Sequence, residues 1–233
     1  MRMKSVVGIA GLLGLAAVLT GCGFGPTDEE TKAYDVNDKV AALRVETDSG
    51  NIEVVESERQ GIRVTERLMW RKNKPETSHQ VQGDTLALTF RCPNTWGLGA
   101  AGTTCDVSYE VEVPKGLRVN ATSDSGTLTL RNLSGDLEAQ SDSGEIEAAG
   151  LAGKSVTVKN DSGSVELVFT GTPDKVRSTT DSGDISVRVP EGPYNVVAKT
   201  DSGDKNVEAA TDAKATRKIE LTTDSGNLEV LKP

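Results

Sequence analysis

The sequence has few of the residues on which active sites and deep binding pockets usually depend. Its 233 residues include one histidine, His79, and only 3% aromatic side chains. A nucleophilic serine needs a base and a partner that orients the base. One histidine cannot serve the seven Asp-Ser-Gly tripeptides of this chain. The scarcity of aromatic residues also disfavours the sugar-binding platforms of a carbohydrate-active enzyme. We therefore predict that the protein is not an enzyme and has no catalytic residue and no cofactor.

The sequence also has fewer basic than acidic side chains. The chain has 26 Lys and Arg against 35 Asp and Glu, and its formal net charge is −9. Without Arg2 and Lys4 the net charge of the remainder is −11. Because nucleic-acid binders display basic surfaces, this composition excludes nucleic acid as a partner. An anionic membrane surface would also repel such a body, so attachment to a membrane requires an anchor.

No apolar run is long enough to cross a membrane. An uncharged, mostly apolar stretch, Val6–Leu19, follows Arg2 and Lys4. A spanning helix needs about 20 apolar residues, so this stretch fits the apolar region of a signal peptide instead. It ends in Leu19-Thr20-Gly21-Cys22, which resembles the bacterial lipobox. The alternative is an ordinary signal peptide in which the cysteine is incidental.

The lipobox resemblance implies that residues 1–21 form a lipoprotein signal peptide and that Cys22 carries a diacylglycerol. Two or more acyl chains hold a protein durably on a bilayer. The expected location is thus the extracytoplasmic face of the cell membrane. Residues 22–39, with their glycines, Pro26 and the acidic run Asp28-Glu29-Glu30, show no apolar period. We predict that they form a flexible acidic tether.

The remainder of the chain repeats itself. The tripeptide Asp-Ser-Gly occurs seven times, and from the second copy onward its aspartates are 18, 19, 20, 20 and 23 residues apart. Aliphatic or small residues alternate with polar ones on both sides of most copies, which indicates half-buried strands. The tripeptide is expected to form the turn between strands, with glycine supplying a positive φ. The aspartates of these predicted turns are Asp48, Asp124, Asp142, Asp161, Asp181, Asp201 and Asp224.

A unit of 18–20 residues buries one face only, so it must stack on its neighbours to form a core. The sequence therefore predicts an all-β parallel β-helix or β-solenoid; the alternative is an antiparallel β-sandwich of hairpins. We expect one domain over residues 40–233, with an irregular capping part at 40–115 and the repeats at 116–233. The last copy, Asp224 to Val230, is expected to close an end of the stack. Lys205 stands where other copies have an aliphatic residue.

The repeat resembles the bacterial DUF4097 family, whose members are also named as adhesins. The segments that carry the likeness are DVSYEVEVPKG at residues 106–116 and VNATSDSGTLTLRNLSGDLEAQSDSGEIEA at residues 119–148. It extends over about residues 41–230. The resemblance implies a β-helical protein of the cell envelope, with an adhesin role suggested by name. Some relatives are linked to envelope-stress sensing.

Three features could serve binding. With Cys22 lipidated, Cys92 and Cys105 remain as a pair and are expected to form a disulfide outside the cell. A basic cluster interrupts the acidic sequence, and a glycine-rich loop carries a tryptophan. The basic cluster and the tryptophan loop predict a binding patch for wall polymer or lipid head groups. The alternative for the basic cluster is a charged edge strand, and the alternative for the tryptophan is that it plugs the end of the solenoid. The residues of this patch are Arg63, Arg67, Arg71, Lys72 and Trp96.

A column of stacked aspartates could attract calcium, but each corner offers one carboxylate, so we predict no metal site. The favoured function is a non-catalytic, lipid-anchored envelope module that is structural, adhesin-like or binds an envelope partner. The alternative is an accessory lipoprotein in envelope-stress signalling. A carbohydrate-active β-helix enzyme is the third hypothesis.

Overall fold

A computed structural model describes residues 26–93 and 103–233, which contain β-strands and no helix. The part of the chain so described therefore has no helix that could cross a membrane. The strands are β1 (Asp28–Val36), β2 (Ala42–Thr47), β3 (Ile52–Glu56), β4 (Ile62–Arg71), β5 (Glu76–Gln82), β6 (Thr85–Arg91), β7 (Thr104–Val113), β8 (Arg118–Ser123), β9 (Leu128–Arg131), β10 (Leu137–Ser141), β11 (Ile146–Leu151), β12 (Ser155–Ser162), β13 (Val165–Phe169), β14 (Lys175–Ser182), β15 (Ile185–Arg188), β16 (Asn195–Ser202), β17 (Lys205–Val207), β18 (Lys218–Ser225) and β19 (Leu228–Leu231).

The strands form two sheets with one core. Sheet A has the order β1-β4-β7-β3-β9-β11-β13-β15-β19-β17, and sheet B has the order β16-β18-β14-β12-β10-β8-β2-β6-β5. Each Asp-Ser-Gly corner joins a strand of sheet B to the next strand of sheet A, and the joined pair is called a rung here. Equivalent strands of adjacent rungs pair in parallel. The predicted β-solenoid is confirmed, and the hairpin sandwich is wrong.

Register explains why the repeat is so regular. Leu137 of β10 pairs with Val119 of β8 on one side and Val156 of β12 on the other, and all three side chains are buried. Because a one-residue slip would turn every apolar side chain outward, alternation fixes this register. Columns of equivalent aliphatic residues thereby form the core along the whole stack.

The order of the strands departs from chain order in two places. The first rung, β2/β3, stacks directly on β8/β9, although their aspartates are 76 residues apart. At the other end, β18/β19 pairs with β14/β15 on one side and with β16/β17 on the other.

The last Asp-Ser-Gly copy therefore lies inside the stack, and the prediction that it closes an end is wrong. The terminal rung is β16/β17. The physical reason lies in the inward residues: β18 and β19 offer four fully buried aliphatic side chains, Ile219, Leu221, Leu228 and Val230. An interior rung must be apolar towards both neighbours. In β17 the corresponding inward register positions hold the exposed residues Lys205 and Val207.

The opposite end, called the cap here, consists of β1, β4, β5 and β6. β5 pairs antiparallel with β6, and β4 pairs antiparallel with β7 and with β1. The prediction of a flexible tether over residues 22–39 is wrong for Asp28–Val36, which is strand β1 and pairs with β4 along its whole length. The sequence does not reveal this strand because its inward positions include the charged residues Glu30 and Lys32, so apolar and polar residues do not alternate along it.

Candidate functional surface

The residue that precedes the aspartate is buried at six of the seven corners and half-buried at the seventh, Thr200. The aspartate and serine of every Asp-Ser-Gly copy are exposed, whereas the preceding residue points inward. The hydroxyl oxygen of Ser141 accepts a hydrogen bond from the backbone N–H of Gly144 at 2.8 Å. Asn160 donates through Nδ2 to the carbonyl oxygens of Gly144 and Gly163, both at 3.0 Å. Ser141 and Asn160 thus bind corner backbone and have a structural role, whereas the buried hydroxyl of Thr180 has no hydrogen-bond partner among the described residues.

The corners require glycine mainly because the neighbouring rung leaves no room for a side chain. A Cβ atom at Gly144 would lie 2.0 Å from the carbonyl oxygen of Gly126, and one at Gly126 would lie 1.7 Å from that of Gly50. A positive φ occurs only at the four later corners, for example 123° at Gly163. The predicted role of glycine as a source of positive φ therefore holds for those four corners. In the earlier ones, the close approach of neighbouring rungs excludes a side chain.

The exposed aspartates form a column of like charge along one side of the solenoid. Although its side chain is largely exposed, partial desolvation of the Asp48 carboxylate, together with the charge of Asp124, raises the pKa of Asp48 above its ordinary value. Burial also raises the pKa of Asp106 in the adjacent strand β7; the Val107 backbone opposes this shift and Asp48 adds to it. Within residues 26–93 and 103–233, no three His, Cys, Asp or Glu side chains are grouped so that they could hold a metal ion.

The arginines of the predicted binding patch lie on one outer face of β4, where acidic side chains meet them. Arg63 is 3.2 Å from Asp35 of β1, and Arg67 is 3.4 Å from Glu110 of β7. Arg71 donates to the hydroxyl of Thr27 at 3.0 Å.

Acidic side chains of the same sheet thus compensate the charges of Arg63 and Arg67. β4 lies between β1 and β7, so the alternative of a charged edge strand is wrong for it. Lys72 follows β4 with a φ of 77°. Trp96 lies outside the described residues, so its predicted roles as anchor or plug stay predictions.

The disulfide between Cys92 and Cys105 is present, with the two Cα atoms 6.0 Å apart. Cys92 directly follows β6 of sheet B, and Cys105 lies in β7 of sheet A. The bond therefore joins the two sheets next to the cap, and it confirms the predicted pairing.

A cluster of polar side chains joins strands β1, β4 and β5 of the cap. Glu66 of β4 is only 1% exposed and accepts a hydrogen bond from the Tyr34 hydroxyl at 2.7 Å. Burial and this bond raise the pKa of Tyr34 above its usual range. The Tyr34 ring stacks on His79 of β5 with 4.5 Å between centroids. Among the described residues, no hydrogen bond joins His79 to a corner serine. Sequence reasoning missed this cluster because its members lie in strands that are distant in the chain.

The fold and the repeat together agree with a family model described as Toastrack DUF4097. That model matches residues 40–167 and again residues 118–231. The chain belongs to the DUF4097 (Toastrack) family. The two overlapping matches to the Toastrack model reflect the internal repeat, because either half of the stack satisfies the same pattern.

Two solved structures are similar to this chain. A proposed cell adhesion protein from Clostridium sporogenes is 13% identical, with a TM-score of 0.49 over 89% of this chain and 100% of its own. A proposed adhesin from Bacteroides fragilis is also 13% identical, with a TM-score of 0.47 over 88% of this chain and 97% of its own. The chain matches none of the curated proteins with which it was compared.

Proposed function

We propose that the protein is a non-catalytic, adhesin-like module of the bacterial envelope, anchored through a lipid on Cys22 to the extracytoplasmic face of the cell membrane. In this proposal the β-solenoid is presented to a wall polymer or an envelope protein. The proposal rests on where the repeated polar side chains lie and on the hydrogen bonds that they form. At most corners the inward Ser, Thr or Asn side chain binds backbone, as Ser123, Ser141 and Asn160 do, and in the described part of the chain no hydrogen bond joins the histidine, His79, to a corner serine.

The repeat therefore builds a scaffold with long outer faces. The outward residues of these faces differ from rung to rung, as Thr129, Glu147 and Ser186 do at equivalent positions, and they can contact a partner. Anchoring by lipid suits this role, because an acidic body with a net charge of −11 has no attraction of its own for an anionic bilayer.

The anchor is tested by metabolic labelling with a palmitate analogue. Label should enter the wild-type protein and be lost in Cys22→Ser, with release of that variant from the membrane fraction. The matched control replaces Cys92 and Cys105 together by serine, which leaves Cys22 as the only cysteine and should keep the label. Label that persists in Cys22→Ser contradicts the proposed anchor.

The partner is tested by photo-crosslinking in intact cells, with crosslinkers at outward positions of sheet A such as Glu147 and at corner positions such as Ser143. A reproducible adduct with one envelope protein or with wall polymer supports the proposal. If no position gives an adduct, partner binding is contradicted and a structural role remains.

A further inference from the structure

We propose that the cap is the membrane-facing end of the molecule and rests against the lipid head groups, while the terminal rung β16/β17 is directed away from the bilayer. The inference deepens the proposed function and rests on its lipid anchor at Cys22. The occupant of the cap surface is thus the bilayer that holds the protein's own anchor.

The first argument is the length of chain between the lipid and the fold. β1 begins at Asp28, six residues after Cys22. Six extended residues reach about 20 Å at most. β1 cannot swing away to lengthen this connection, because it pairs with β4 at nine positions and Tyr34 donates to the buried Glu66. Lys74 forms an ion pair with Glu30 of the same strand.

The second argument is the position of β1 at one edge of a long stack. Sheet A runs through ten strands from β1 to β17. At about 4.8 Å between neighbouring strands, the two edges are about 40 Å apart. Since the connection is about half that length, the cap stays near the head groups in any orientation. The terminal rung can lie near them only if the body lies flat.

The third argument is charge, which opposes the flat arrangement. Residues 28–36 and 62–91, which contain the strands of the cap, have seven basic and seven acidic side chains. Residues 37–61 and 92–233 have 17 basic and 28 acidic side chains. A bilayer with anionic lipids therefore repels the body of the solenoid but not the cap. The electrostatically favoured orientation is upright.

The cap also carries apolar side chains suited to the head-group region. Met69 of β4 is 40% exposed and Val81 of β5 is 41% exposed. Lys74 places its ammonium group 5.2 Å from the centre of the half-buried Trp70 ring. A tryptophan with an adjacent lysine has an apolar body and a polar tip, which is the combination that interfaces favour.

The test uses the full-length lipidated protein in phosphatidylcholine vesicles, with and without phosphatidylglycerol, that contain an energy-transfer acceptor lipid. A donor dye is placed on Gln80→Cys in the cap or on Asn206→Cys in the terminal rung; both positions are exposed. The native Cys92 and Cys105 do not react because they form a disulfide. With a dye pair of short range, transfer from position 80 should exceed that from position 206 at least about threefold, given the 40 Å separation. Phosphatidylglycerol should enlarge the difference.

Flotation of the vesicles separates the two possible failures. Protein that floats but transfers energy equally from both positions, or more from position 206, overturns the orientation and leaves the lipid anchor intact. Protein that does not float overturns the anchor and the orientation with it. As a further control, a flexible Gly-Ser insertion before Pro26 should reduce transfer from position 80, because it lengthens the connection. Unchanged transfer in that variant contradicts the argument from tether length.

Discussion

Lys205 of β17 pairs in register with Leu228 of β19, so the terminal rung places an ammonium group where the rung beneath it has a fully buried leucine. The cap shows the same arrangement. Lys32 of the edge strand β1 pairs with the buried Glu66 and donates to Thr77 of β5 at 3.4 Å. Charged residues at inward positions of edge strands hinder the addition of further strands. Both ends of the solenoid are thus protected from end-to-end association.

We expect Lys205→Val to promote self-association through the terminal rung. The substitution extends the apolar column of Leu228 to the open end, next to the exposed Val207. Analytical ultracentrifugation should show a concentration-dependent dimer or larger species. The matched control is Asn206→Val in the same strand, whose side chain is on the outer face and should leave the protein monomeric. Equal association of the two variants would show that the inward charge has no special role.

Gly144→Ala should destabilise the protein strongly. The new Cβ would lie 2.0 Å from the carbonyl oxygen of Gly126, so the two rungs must separate locally. Because the contact is with backbone and not with a flexible side chain, this overpacking should cost about 3 kcal/mol, the upper end of the usual range, in the free energy of unfolding measured by urea denaturation. Gly83→Ala is the control: its φ is 65° but no atom lies within 4 Å of the new Cβ, so the cost should be about 1–2 kcal/mol. A smaller loss for Gly144→Ala than for Gly83→Ala would contradict the steric argument.

The sequence was sufficient for the repetitive part of the fold. Residues such as Val119, Leu137 and Val156 recur at nearly constant spacing with a period of two, and only stacking buries them all. The position of β18/β19 could not be predicted, because Ile219 fits equally well beside Val176 and Val196, and in the structure it pairs with both.

The candidate surface was less accessible to sequence reasoning. The cluster of arginines is visible in the sequence, but the acids that compensate it come from elsewhere; Glu110 is 43 residues from Arg67. The role of the residue before each aspartate had a visible signal, since it is always Ser, Thr or Asn. Only the structure shows that it points inward and, at every corner except that of Thr180, binds a backbone group.

Ser141→Ala tests that role. The substitution leaves the buried N–H of Gly144 without the acceptor that it has at 2.8 Å. An unsatisfied buried donor costs about 1–3 kcal/mol, which should appear as a lower urea midpoint with an unchanged slope. Ser143→Ala changes the exposed serine of the same corner and should alter stability by less than about 0.5 kcal/mol. If both variants lose the same stability, the inward hydroxyl is not what holds the corner.

Loss of the disulfide should destabilise the region next to the cap. Cys92 and Cys105 are 13 residues apart, and closing a loop of that size contributes about 3 kcal/mol in the chain-entropy account. The double variant Cys92→Ala/Cys105→Ala should therefore unfold about 6–12 °C lower than wild type in a thermal melt. A reductant should lower the wild-type Tm to a similar extent and leave the double variant unchanged. A reductant effect on the double variant would point to another target.

Because the Asp106 carboxylate has a raised pKa, we expect the stability of the protein to depend on pH in an unusual way. Burial, and secondarily the charge of Asp48, raises the pKa of Asp106 above its ordinary value of 3.8. The folded protein therefore holds this proton more tightly than the unfolded chain. The ionised carboxylate destabilises the fold above the folded pKa, and this penalty is relieved as the pH falls towards 3.8. Asparagine has no such penalty, so Asp106→Asn should raise the Tm at neutral pH by about 1–3 °C.

This difference between Asp106→Asn and wild type should shrink as melts are recorded at progressively lower pH. Asp48→Asn should also stabilise the protein at neutral pH, because partial desolvation and the charge of Asp124 raise the pKa of Asp48 in the same direction. Since the two carboxylates repel each other, the double variant should gain less than the sum of the single variants. A stabilisation by Asp106→Asn that grows as the pH falls would have the wrong sign for a raised pKa and would contradict the burial of this carboxylate as its cause.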